Sequence, residues 1–120
     1  LNASGRIALL RSFLLASRDS RLLIAVHDPE HLRSHSPRFI ELLACFSASI
    51  SVHQTEAEAT RAQDCFLLAD MEHFVRRPVA AALRGVYVRN DFQESRLFLD
   101  RFDEIWHSSV PAISATSLGL

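Results

Sequence analysis

Gln63-Asp64-Cys65-Phe66-Leu67-Leu68-Ala69-Asp70 is the stretch that decides the architecture: a polar entry, a short unbroken apolar run and an acidic stop. A run this short suits a buried strand better than a helix, so Phe66 to Ala69 is read as a strand ended by Asp70. Met71 and Glu72 then make a turn, His73 to Arg76 pairs back as a hairpin strand, and Pro78 closes it. Gly85 to Val88 reads as a further short strand.

Upstream, Ile7, Leu10, Phe13 and Leu14 recur at helical spacing. They predict a helix from about Ser4 to Ala16, capped by Asn2 or Ser4 and ended by the polar stretch Ser17 to Ser20. The contiguous apolar residues of Arg21 to Val26 suit a strand covered on both faces. It leads into His27, Asp28 and Pro29. Ser36 followed by Pro37 starts a second helix, whose stripe Phe39, Ile40, Leu43 and Phe46 runs to about Ser47. Ser49 to His53 alternates like an exposed or edge strand. Gln54 to Gln63, without a large apolar residue, is expected as a surface loop or a short polar helix. Asp91 with Glu94 forms a capping box, Phe98, Phe102, Ile105 and Trp106 face the last helix inward, and Pro111 stops it. Strands alternating with helices and the absence of any repeat argue for one α/β domain over residues 1–120.

Composition limits the chemistry. All 13 basic residues are arginine, against 14 acids, for a formal charge of -1. With no lysine there is no Schiff-base amine and no Walker-type lysine, because arginine keeps its proton. Cys45 and Cys65 sit beside Phe46 and Phe66 and are expected to be reduced core residues of a cytoplasmic protein. No apolar run approaches the ~20 residues needed to span a bilayer, and no basic-then-apolar leader opens the chain. Because it opens on Leu1, an upstream partner domain is kept in view.

Two places could carry chemistry. His27, Asp28, Glu30, His31 and His35 offer metal-type ligands, but too few are set to converge, and Asp28 beside Pro29 suits a helix cap, so no metal and no cofactor is expected. Asp70 and Asp28 each follow a strand, where ligands gather in open α/β sheets; each also suits an ordinary turn.

The stretch from Gln63 to Asp70 has the register of H-x-K-x-x-x-x-D, and in that register it resembles the phospholipase D superfamily signature. Val88, Arg89, Asn90, Asp91, Glu94, Phe102 and Trp106 look like the region downstream of that signature. His27-Asp28-Pro29, Phe66 to Asp70, Arg77-Pro78, Phe102 to Trp106 and Thr116 to Leu120 together resemble an uncharacterised bacterial domain related to phospholipase D, often found after an acetyltransferase of the GNAT type. The resemblance covers about Arg21 to Leu120. It implies a phospholipase D-like α/β/α half with a mixed sheet.

The departures define the expected function. Gln63 stands where the signature has its histidine nucleophile and Cys65 where it has the phosphate-holding lysine. Glutamine cannot attack phosphorus and a neutral thiol supplies no fixed charge, so catalysis by that route is not expected. What survives is arginine. Arg61, Arg76, Arg77 and Arg89, with Asn90, Asp70 and Asp28, frame the inferred pocket, where guanidinium forks would bind a small anion; the competing reading pairs them with acids such as Glu72, Asp91 and Glu94 on a solvated face. Aromatic residues do not interleave with a basic stripe, which argues against nucleic acid. The Phe98, Phe102 and Trp106 stripe packs a core, or else seats a second copy or an upstream acetyltransferase domain. The expected function is therefore a non-catalytic phospholipase D-like binding or regulatory module, with a docking or dimerisation domain, or a residual hydrolase using His27, Asp28 or Cys65, as alternatives.

Overall fold

In a computed structural model of the chain, residues 3–70, 73–77, 86–88 and 92–114 are described. The fold is α/β with a mixed sheet. Its internal contacts divide it into two compact units, Leu1–Thr55 with Ser109–Leu120, and Glu56–Ser108.

The first unit contains α1 (Ser4–Ala16), β1 (Leu22–Val26), α2 (Pro29–His35), α3 (Pro37–Cys45), β2 (Ile50–Gln54) and β6 (Val110–Ile113), the last numbered in chain order. β2 is central, parallel to β1 and antiparallel to β6. The sequence reading of this segment as an edge strand is therefore corrected: Ser51 and His53 produce the alternation, while Ile50 and Val52 on the opposite face are buried. β1 is likewise covered on one face rather than two. Leu22, Ile24 and Val26 pack on the core, and Leu23 is 43% exposed. β6 has no counterpart in the sequence reading, which took Pro111 only as a helix stop. Proline is tolerated there because β6 lies at the sheet edge, where a missing N–H costs no ladder bond.

Helix boundaries follow local chemistry. α1 spans the expected residues, but no side chain caps it; its N-cap is Ala3. It buries Ile7 and Leu14, and Phe13, expected on that stripe, is 42% exposed. Asp28 caps α2, its Oδ1 accepting from the His31 N–H at 3.2 Å, with Pro29 opening the helix. Pro37 opens α3, which inserts Phe39, Leu42 and Leu43 fully into the core.

The second unit contains a 3-10 turn (Ala57–Arg61), β3 (Cys65–Ala69), β4 (His73–Arg77), β5 (Val86–Val88) and α4 (Phe92–His107). β3, β4 and β5 form an antiparallel sheet in that order, giving the hairpin and short strand the sequence predicts. α4 packs against β3 and β4, with the Phe98 ring 5.4 Å from that of Phe66. β3 is not buried throughout: Phe66 and Leu68 are half-buried, while Cys65, Leu67 and Ala69 are exposed. Cys45 is exposed as well, so neither cysteine is the core residue expected from its apolar neighbours. Arg89, Asn90, the Asp91 end of the capping box, Pro78, and Thr116 to Leu120 lie outside the described residues.

All the fully buried apolar side chains among the described residues belong to the first unit. Phe39 is 0% exposed at its centre. Phe39→Ala should therefore cost about 3–5 kcal/mol, read as a fall in the urea midpoint of the first unit with an unchanged slope.

Candidate functional site

The densest polar constellation lies in the second unit and is built around Asp64, the residue before β3. Its side chain is only 6% exposed. Arg101, on α4, grips the carboxylate with both terminal nitrogens, Nη1 to Oδ2 at 2.5 Å and Nη2 to Oδ1 at 2.6 Å. Arg76, on β4, donates from Nε to Oδ2 at 3.3 Å. The two guanidinium groups also cover aromatic faces. Arg101 lies 5.4 Å from the Phe66 centroid, and Arg76 lies 5.6 Å from that of Phe98. One carboxylate thus answers two cations. The Arg101 hydrogen bonds hold Asp64 below the ordinary carboxylate range, against burial, which pushes the other way. Asp64 in turn raises Arg101.

Alongside lies an open cleft of about 470 Å³, lined among others by Arg61, Arg101, Glu58, Glu104, Ile105 and Ser108. The 3-10 turn supplies Arg61 and Glu58, α4 supplies Arg101, Glu104 and Ile105, and Ser108 follows its end. Arg61 is exposed, and no ion pair to it is formed among the described residues.

The residues predicted to share a pocket are placed apart. Asp70 follows β3 at its hairpin end, in left-handed backbone geometry with φ 52°, which aspartate tolerates better than most residues. Arg77 pairs with Cys65 at the opposite end of the hairpin. At ~3.4 Å per residue those ends are about 17 Å apart, so Asp70 and Arg77 do not frame one pocket. Arg76 engages Asp64 instead of a ligand position. Asp28 belongs to the first unit and caps α2. Among the α2 histidines, the His31 and His35 rings stack at 4.2 Å, and no group of three or more metal-type side chains converges among the described residues. Gln63 and Cys65 are both exposed.

Asp64 and Arg101 were not singled out in the sequence. They are 37 residues apart, and the only hint is that an acid preceding an apolar strand is an awkward thing to leave uncompensated.

Residues 1–118 match the family described as Domain of unknown function (DUF7931). Comparison with curated proteins and with solved structures gives no match. Among the described residues, no helix is long and apolar enough to cross a membrane.

A carboxyl group depressed on folding stabilises the folded state above its unfolded value near ~3.9, and that contribution is lost as the pH falls through the folded value. Asp64→Asn should flatten the acid limb of the stability curve below about pH 4. At neutral pH it should cost about 2 kcal/mol, modest because both guanidinium groups keep about a third of their surface in water. Urea denaturation across pH 2–7 checks both outcomes.

Proposed function

Starting from a chain that belongs to the DUF7931 family, we propose a phospholipase D-like binding or regulatory module whose anion cleft is non-catalytic: it takes up a small anion and does not cleave phosphodiesters. The observation that carries this reading is Arg61, exposed on the cleft beside Arg101 and without an ion pair among the described residues. A guanidinium fork recognises phosphate or carboxylate without a catalytic partner. The anion site is thereby moved from the Asp70 and Arg77 region expected from sequence to Arg61 and Arg101.

The absent chemistry follows from residue types. Gln63 offers no nucleophile, and Cys65 offers no fixed cation. Glu58 and Glu104 on the cleft walls favour a compact anion over a polyanion such as nucleic acid. Two exposed thiols fit a reducing compartment, which supports the cytoplasm as the site of action.

A second reading, self-association, is favoured by one observation: Leu67 and Val75 face each other across the β3–β4 ladder, 59% and 41% exposed. On this reading the chain sediments as a concentration-dependent dimer, and Leu67→Asp makes it monomeric. A monomer at all concentrations removes the reading.

Titration of the chain with inorganic phosphate, acetate and nucleoside monophosphates should raise its melting temperature, by linkage of binding to stability. Arg61→Ala should abolish most of that shift while leaving the unliganded melting temperature within about 2 °C, as expected of an exposed side chain. Bis(p-nitrophenyl) phosphate should not be turned over. Turnover that disappears in Asp70→Ala would overturn the reading.

A further inference from the structure

The first unit carries a second constellation, at the carboxyl ends of the parallel strands β1 and β2. The last rung of that sheet is Val26, Gln54 and Val110. Immediately past it stand His27, Thr55 and Ser109, one from each strand end. The strand alternation that sends Ile50 and Val52 into the core sends His53 to the opposite face. Two imidazole–hydroxyl pairs result. His27 Nδ1 lies 2.5 Å from Thr55 Oγ1, and His53 Nδ1 lies 2.7 Å from Ser109 Oγ.

The His53 pair has three features suited to chemistry. Its atoms are within the reach required of a nucleophile and its base. It lies at the carboxyl end of parallel strands, where α/β sheets collect ligands. It also sits where the β2–β6 register slips between Val52 and His53, and ladder irregularities of this kind are common beside active sites because they re-aim side chains. The ladder partner of His53 on β1 is Ala25, whose methyl group leaves space beside the imidazole, and Leu23, on the same face, is 43% exposed. Both Ser109 and His53 are half-buried, and thus reachable from solvent.

We propose that Ser109 is an activated nucleophile with His53 as its general base, and that it accepts the acyl group of a small uncharged carboxylic ester. Ser109 Oγ attacks the ester carbonyl carbon while its proton passes to His53 Nδ1. The carbon–oxygen bond to the alcohol breaks, and the alcohol leaves with that proton. Water, deprotonated by the same nitrogen, then cleaves the acyl-serine, releasing the acid and restoring the hydroxyl; the sum is ester plus water giving acid plus alcohol. Burial lowers the pKa of His53, which keeps the imidazole neutral and able to accept a proton at neutral pH. A small apolar acyl group fits the Ala25 and Leu23 surface.

The test is labelling of the full chain with a fluorophosphonate probe, followed by peptide mapping, and a parallel incubation with p-nitrophenyl acetate. The expected result is a single phosphonylated residue, Ser109, modified at least 100-fold faster than in the heat-unfolded chain, with an acetyl adduct at the same residue. His53→Gln should slow labelling at least tenfold. Saturating inorganic phosphate should leave it unchanged, which separates this site from the anion cleft. Absence of label on Ser109 in the folded wild-type chain overturns the proposal whatever the variants do. Equal labelling in a folded His53→Gln chain overturns the role of the imidazole.

Discussion

A carboxylate buried at the start of a strand has to be answered by cations, and in the second unit that demand organises everything around it. Asp64 is nearly sealed from water, and its partners come from β4 and from α4. Removing a charged group from solvent costs several kcal/mol unless its lone pairs are filled, so the helix and the second strand are held in the positions that fill them. The interaction matters more here than in a well-filled core. Among the described residues of this unit no apolar side chain is fully buried; besides the Asp64 carboxylate, the buried side chain is that of Ser95 on α4. Small units with little core need a staple, and an ion pair backed by two aromatic faces is one.

The first unit solves the same problem differently. Phe39, Leu42 and Leu43 from α3 meet Ile50 and Val52 from β2 and Ile113 from β6, with Ile7 and Leu14 of α1 packed into the same cluster. Burial of this kind is directionless, so it fixes compactness, while the parallel β1–β2 ladder fixes which ends lie together. That ladder brings His27 next to Thr55, and the β6 strand, entering antiparallel, delivers Ser109 to His53. The polar row is a consequence of topology: no two of these four residues except Thr55 and His53 are near in sequence.

This division explains what could be read from the sequence. Features set within about ten residues were legible: the α1 span, the Pro37 start, the Asp28 cap and the β3–β4 hairpin all follow from periodicity, proline and turn chemistry. Features set by distant partners were not. Ser51 and His53 give β2 the alternation of an exposed strand, although β1 and β6 flank it on both sides. Adjacency to Phe46 and Phe66 does not bury the cysteines: successive strand residues face opposite ways, which turns Cys65 from Phe66, and Cys45 ends α3 on an exposed face. The site suffered most. Asp70 and Arg77 are close in sequence and opposite along the hairpin, while Asp64 and Arg101 are remote in sequence and in contact.

The lysine-free inventory takes on a physical meaning in this setting. Arg101 does two things at once: its terminal nitrogens bond both oxygens of Asp64, and its flat face lies over Phe66. An ammonium group is a strongly hydrated point charge with no planar face, so lysine would satisfy one oxygen and give up both the second bond and the stacking. Arg76 combines a single bond, from Nε to Oδ2, with a position over the Phe98 ring. An Arg-to-Lys exchange at either position is therefore not conservative, because the cation and the aromatic face are parts of one contact. The same guanidinium chemistry that removes amine catalysis from the chain thus supplies the fixed geometry of its second unit. It also leaves part of each guanidinium group in water, and Arg101 lines the cleft where Arg61 adds a further cation.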